Sequence, residues 1–314
     1  MITLENMKIV FMGTPDFARI ILEKLASVYD TELIITQPDK PTGRKKEIVF
    51  NSVKEFATEK KLNTLQPEKI RGNQELLKQL ISINPDVIYV AAYGKILPEE
   101  ILKVPKYGCI NVHASLLPKY RGAAPINWAL INGDKRTGIT LMKMDVGMDT
   151  GDIISKYELD IEQNDNVESL SKKLANLAAT KLIDFTKSLI EKRKYESVKQ
   201  NENEATVAPK IKKETGLIDW KKSSIEINNL IRGCNPWPVA YTNLDKNMIK
   251  IFKVNLYGKT TKSPGEIFND NGKLVVACGE GSIEIIEIQK SGQKKISGRD
   301  FLNGIKNIGI LNFN

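Results

Sequence analysis

The run PDVIYVAA, with its strand from Asp86 to Ala92, is a continuous apolar stretch without polar alternation. That is the pattern of a strand covered on both faces in a parallel sheet. Parallel neighbours need crossover connections, usually helices, and the chain supplies them in alternation. Lys8 to Met12 is a short apolar strand. Thr14 is placed to cap a helix whose first residue is Pro15 and whose stripe is Phe17, Ile20, Ile21, Leu25 and Val28. Leu33 to Thr36 is the next strand. Helices follow at about Ser52 to Lys61, at 74–83 (Leu76, Leu77, Leu80, Ile81) and at Pro98 to Leu102, and then a strand at Cys109 to Val112. The expected architecture is α/β, an open, doubly wound, mostly parallel sheet.

The later chain has a different texture. A long helix is expected over Val167 to Lys192, capped by Asp165 with Glu168 completing a capping box. A charged stretch without apolar periodicity marks a linker at 195–206. This divides the chain into 1–194, the linker, and 207–314. In the last part Ser223 and Glu226 form a capping box for a helix stopped by Gly233. Short strands follow at Val239 to Leu244, Met248 to Leu256, Gly265 to Phe268, Lys273 to Ala277 and Ser282 to Gln289. Asn271-Gly272 is a hairpin turn between the last two but one. Together they suggest a small β-barrel resembling an oligonucleotide-binding fold.

Charge is unevenly spread over the 314 residues. Residues 205–314 hold 17 Lys and Arg against 10 Asp and Glu, most of the net charge of +9. A polyanionic partner or a merely lysine-rich domain would both produce this. No run of about 18 apolar residues is present, so no membrane span is expected. The start MITLENMKIVFMG lacks a signal-peptide layout, and the three cysteines, Cys109, Cys234 and Cys278, are far apart. Reduced thiols and a cytoplasmic location are expected, with no metal, since one histidine and scattered cysteines do not make a usual zinc site.

The chemistry concentrates in residues 108–152. Asn111 and His113 alternate with Val112 at a strand end, so both project to one face. An amide donor and the chain's one imidazole converge there, although a satisfied polar pair at a strand end would look the same. Asp149 follows in the glycine-flanked loop DVGMDTGD, whose spacing does not fit an EF-hand. In the loop Ser115, Leu116, Leu117 and Pro118, few backbone donors belong to an expected element, which leaves main chain for a planar heterocycle. An ordinary loop with two buried leucines is the alternative. Tyr93-Gly94 should line the same crevice. The GTPDF turn lacks G-x-G-x-x-G, which excludes a dinucleotide fingerprint. Arg44, Lys45 and Lys46 lie in a long polar insertion and suit a phosphate backbone, or a solvated loop.

Taken together, FMGTPDFA, TQPDKPTGRKK, VAAYGKILP, GCINVHASLLPKYRGAAPINWAL and MDVGMDTGD resemble the formyltetrahydrofolate-dependent formyltransferases. APKIKKETGLIDW, IRGCNPWPVAY and KKISGRDFLNG extend the resemblance to the methionyl-tRNA formyltransferase family over nearly the whole chain. The resemblance implies a Rossmann-like formyltransferase fold, 10-formyltetrahydrofolate as donor and methionyl initiator tRNA as acceptor. It implies catalytic roles for Asn111, His113 and Asp149. Folate would lie against Ser115 to Pro118, Ile96, Leu97 and Val146, with tRNA on Arg44, Lys45, Lys46 and the C-terminal domain. A monomer is expected. A small amino sugar nucleotide as acceptor, or an inert tRNA-binding protein, are the rival readings.

Overall fold

Apolar runs become strands here because the sheet can cover them on both faces, and register then sorts their side chains. The computed structural model describes residues 7–42, 47–245, 247–304 and 312–313. Arg44, Lys45 and Lys46 lie outside the described residues. The first elements are β1 (Ile9–Gly13), α1 (Asp16–Ala26), β2 (Thr31–Ile35), β3 (Lys40–Thr42), β4 (Glu47–Val49), α2 (Ser52–Glu59), β5 (Thr64–Leu65), α3 (Gln74–Ile83), β6 (Val87–Ala91), α4 (Glu99–Leu102) and β7 (Cys109–His113). Next come α5 (Pro125–Ile131), β8 (Arg136–Lys143), β9 (Ile153–Asp160) and α6 (Val167–Lys192). After two short 3-10 turns follow α7 (Ser224–Cys234), β10 (Ala240–Leu244), β11 (Asn247–Leu256), β12 (Ile267–Asp270), β13 (Lys273–Ala277), β14 (Ser282–Lys290), β15 (Ile296–Ser297) and α8 (Gly298–Asn303).

The main sheet runs β5-β2-β1-β6-β7-β8-β9. Its pairs from β5 to β7 are parallel, as the uninterrupted apolar runs require. The turn to antiparallel at β8 was not expected from the sequence. Residues opposite one another share a face. Val10, Met12, Leu33, Ile35, Ile88, Val90 and Cys109 therefore form one side, covered by Leu76 and Leu80 of α3 and Ile101 of α4. Tyr89 points to the other side, where its hydroxyl lies 2.8 Å from Thr186 Oγ1 of α6. Thr186 already donates to Leu182 O at 2.7 Å, so Tyr89 is the donor. Burial pushes this phenol well above its ordinary range. Tyr89→Phe should cost about 1 kcal/mol, the net value of one such bond, seen as a lower denaturant midpoint at unchanged slope.

The chain forms two compact units. One comprises Met1–Ala123, Thr137–Leu159 and Ser171–Ala208; the other comprises Ala124–Arg136, Asp160–Leu170 and Pro209–Asn314. This departs from a boundary at 195–206. The stretch expected as a linker is built into the first unit: Val198 pairs with Ile153, and the buried Gln200 is fully hydrogen-bonded. Charge without apolar periodicity resembles a linker because this packing is polar. In the second unit α5 joins α7 through Asn127 Nδ2, which donates to Gly233 O at 2.9 Å. Gly233 lies inside α7, which ends one residue later, and does not stop it. The Ser223/Glu226 capping box is present.

Antiparallel strands in the order β10-β11-β14-β13-β12, with β15 on β14, make the second unit's sheet. Among the described residues no ladder joins β10 to β12. Asn271 and Gly272 turn the hairpin between β12 and β13 with φ of 52° and 80°, the positive values a tight two-residue turn needs. Ile249, Ile251, Ile283, Ile285 and Trp220 fill its core. Two expected caps differ. Thr14 Oγ1 donates to Tyr93 O at 3.2 Å and leaves α1 uncapped by a side chain. Asn166, not Asp165, accepts from Ser169 N at 2.9 Å at the start of α6. Asp165 turns back to accept from Glu162 N.

Candidate active site

Strand β7 sets Asn111 and His113 on the face that carries the apolar cluster. Asn111 lies opposite Val90 on one side and Met142 on the other, and His113 lies opposite Thr140. The face thus changes from apolar to polar at β7. Both side chains are buried, at 9% and 6% exposure. A carboxylate reaches them from the β8–β9 connection. Because β8 is antiparallel, with Ile110 opposite Lys143, this connection leaves beside the start of β7 and folds back over the face. Its return depends on Gly151, where a Cβ would lie 1.9 Å from Lys143 O. Asp149 takes the left-handed region, φ +55°.

Asp149 Oδ1 accepts from Asn111 Nδ2 at 3.3 Å and faces His113 Nδ1 at 3.6 Å. Oδ2 accepts from the Gly122 N–H at 2.8 Å. The three groups that the sequence pointed to therefore meet around one carboxylate. His113 Nε2 lies 2.9 Å from Tyr120 O. A carbonyl only accepts, so Nε2 carries a proton, and Nδ1 is the nitrogen turned to Asp149. Asn111 has two amide hydrogens. One goes to Asp149.

Gly122, Arg121, Gln200 and Glu202 hold this arrangement. Gly122 has φ +120° and a Cβ there would sit 2.8 Å from Ala208 O, so only glycine brings this N–H to Asp149. Its neighbour Arg121 is buried and forks onto Glu202, with both N–O distances 2.8 Å. This bond holds the Arg121 guanidinium above its usual range and the Glu202 carboxyl below its own. Gln200 joins Arg121 to the Asp149 loop. A buried arginine needs acceptors, and that requirement was the available signal.

The expected folate residues divide. Ser115, Leu117 and Pro118 are buried, and their main chain is committed. Ser115 O accepts from Thr140 Oγ1, Leu117 N donates to Thr140 Oγ1, Leu117 O accepts from Lys156 Nζ, and Pro118 O accepts from the Thr206 N–H. Leu116 is half-buried beside Gly138. This corrects the expectation of a loop with open main chain: the partners come from β8, β9 and the 195–206 stretch, whose placement was not foreseen. Leu97 and Tyr93 are each 1% exposed, within the apolar cluster. Ile96 and Val146 are exposed, at 62% and 65%, as is Met148. Val146 and Met148 stand in the Asp149 loop itself.

Residues 7–186 match the family described as formyl transferase, and residues 210–306 match formyl transferase, C-terminal domain. A methionyl-tRNA formyltransferase of Caldanaerobacter subterraneus subsp. tengcongensis is 52% identical, covering 95% of this chain and 97% of that protein. This chain belongs to the methionyl-tRNA formyltransferase family. The Bacillus subtilis methionyl-tRNA formyltransferase is 45% identical, over 95% of this chain and 94% of its own length. Among solved structures, an N-formyltransferase from Helicobacter canadensis with folinic acid and dTDP-3-aminofucose shares the fold, with a TM-score of 0.67 at 21% identity over 90% of this chain and 99% of that one. HypX from Aquifex aeolicus in complex with tetrahydrofolic acid does so with a TM-score of 0.63 at 14% identity, over 95% of this chain and 47% of that one. Methionyl-tRNA formyltransferases are transferases that take their formyl group from 10-formyltetrahydrofolate.

Proposed function

We propose that this protein transfers the formyl group of 10-formyltetrahydrofolate to the α-amine of methionyl initiator tRNA, preparing it for translation initiation. The observation that carries the reading is the junction at Asp149 Oδ1, with Asn111 Nδ2 at 3.3 Å and His113 Nδ1 at 3.6 Å. The neutral amine attacks the formyl carbon and forms the new N–C bond. The carbonyl oxygen becomes an oxyanion, which accepts from the second Asn111 N–H and is stabilised through space by a positively charged His113, whose two N–H groups stay on Tyr120 O and Asp149. Collapse breaks the bond between the formyl carbon and N10 of the folate, which leaves with a proton; the attacking amine loses one. Asp149 holds the Asn111 amide and faces the imidazolium. One preorganised oxyanion donor is worth about 10² to 10³ in rate. An aminoacyl ester amine is less basic than an ordinary amine, so more of it is neutral near pH 7.

Val146 and Met148 hold apolar surface in water beside Asp149, and a pterin ring against them would cover it. Ile96 offers a further apolar contact from the loop after β6. The surplus of cations in residues 205–314 supports a grip on the tRNA backbone, with Arg44, Lys45 and Lys46 reaching the acceptor end. The protein works as a monomer in the cytoplasm on this reading, and its three cysteines are free and buried.

Formyl-folate offered with methionyl initiator tRNA, with uncharged tRNA and with an amino sugar nucleotide tests the reading. Only the first should become formylated. Transfer to the sugar nucleotide alone, or to none, sinks it. Affinity for the tRNA should fall linearly on a log–log plot against salt. Charge reversal at Lys45 and Lys46 should flatten that slope and leave folate affinity unchanged. A salt-independent affinity would remove the phosphate grip.

A further inference from the structure

The Asp149 loop is held from behind by a polar clamp that lies in the stretch with the least apparent structure. Gln200 Nε2 donates to Asp149 O at 2.8 Å and to Gly151 O at 2.7 Å. Gln200 Oε1 accepts from Arg121 Nε at 3.0 Å and from Arg121 Nη2 at 2.9 Å. Arg121 has only donors and the two carbonyls only accept, so a single orientation of the amide satisfies all four contacts. Gln200 and Arg121 are each 9% exposed. Glu202, on the solvent side, fixes the other edge of the guanidinium. The residue after Arg121 is Gly122, whose N–H holds the Asp149 side chain. One short segment thus reaches the acid both directly and, through Gln200, by its main chain.

We propose that Gln200 is a positioning residue for formyl transfer. Locked by Arg121, it fixes the peptide at Asp149 and Gly151 and so sets the carboxylate against Asn111 and His113. The proposal rests on the formyl-transfer reading for its kinetics, and on geometry alone for its spectroscopy. Asp149 sits at a positive φ that a residue with a Cβ adopts at a cost, and surrounding contacts must hold it there. Gln200 supplies two of them. A catalytic group moved by about 1 Å loses roughly 100-fold in rate.

The test uses the full chain and five forms: parent, Gln200→Leu, Gln200→Glu, Asp149→Asn, and Gln200→Leu combined with Asp149→Asn. Gln200→Leu should lower kcat by about 10- to 100-fold, with the KM of donor and acceptor changed by less than about threefold. Gln200→Glu keeps the Arg121 pair and loses both donors to the loop, and it should lose kcat similarly even where the leucine variant folds poorly. On the Asp149→Asn background, Gln200→Leu should cost less than about twofold more, because residues acting through one group do not add. A part played only in folding would lower the melting temperature and multiply the two rate losses. Both single variants within about threefold of the parent in kcat, or losses that multiply in full, would overturn the proposal. His113 is the only histidine, so its ring-proton NMR signals report on this site without assignment. They should move in both Gln200 variants, and unchanged signals overturn the proposal whatever the activity. A parent that transfers no formyl group while those signals move defeats the functional reading and leaves the clamp standing.

Discussion

His113→Ala lowers the single-turnover rate of formyl transfer by about 10² to 10⁴, the range for a group that handles a proton or charge in the transition state. Binding of tRNA should be unaffected, because His113 is buried at 6% exposure in the first unit. The variant also loses a bond to Tyr120 O, so part of any fall in melting temperature comes from a carbonyl left without that donor. Asn111→Ala on the same assay separates the amide donor from the imidazolium charge: it should cost about 10² to 10³. A His113→Ala enzyme within about tenfold of the parent would mean that the imidazole is a structural strut.

Asp149→Asn is the sharper experiment, since it keeps shape and changes one atom. All three groups around the carboxylate are donors or face it as one: Asn111 Nδ2, the Gly122 N–H, and His113 Nδ1 when protonated. An amide offers only one oxygen. The Gly122 N–H belongs to the main chain and will hold it. The NH2 group then turns to Asn111 and His113, where it repels the amide and favours the neutral ring by donating to Nδ1. The charge that faced an imidazolium is gone. We expect kcat to fall by about 10² or more while the melting temperature changes little. Unchanged kcat would show that Asp149 neither orients nor supports His113.

The sequence made the chemical groups legible and hid what holds them. Period two placed Asn111 and His113 on one face, and the structure agrees. Apolar runs announced the parallel strands, and a stripe ending in charge announced α6 to the residue. β8 escaped that reading, because Thr137, Gly138 and Thr140 break up its apolar run although all are buried, and no apolar pattern carries its antiparallel direction. The fold-back of the Asp149 loop follows from that direction and was hidden with it. Gln200 escaped for a related reason. It packs through four polar contacts, and periodicity detects apolar burial only. The Ser115 to Pro118 loop looked open because its partners, Thr140, Lys156 and Thr206, come from segments that no local pattern ties to it. Thr14 and Asp165 had the residue type of caps, but each found a competing partner nearby.

The left-handed dihedral of Asp149 narrows what could ever stand in its place. Glycine, asparagine and aspartate are the occupants that tolerate it best, and only one of these is an acid. Glutamate, the usual conservative exchange, would have to force a longer and less tolerant side chain into a bend closed on one side by Gly151. The shape of the peptide therefore favours aspartate over glutamate as the anion at this position.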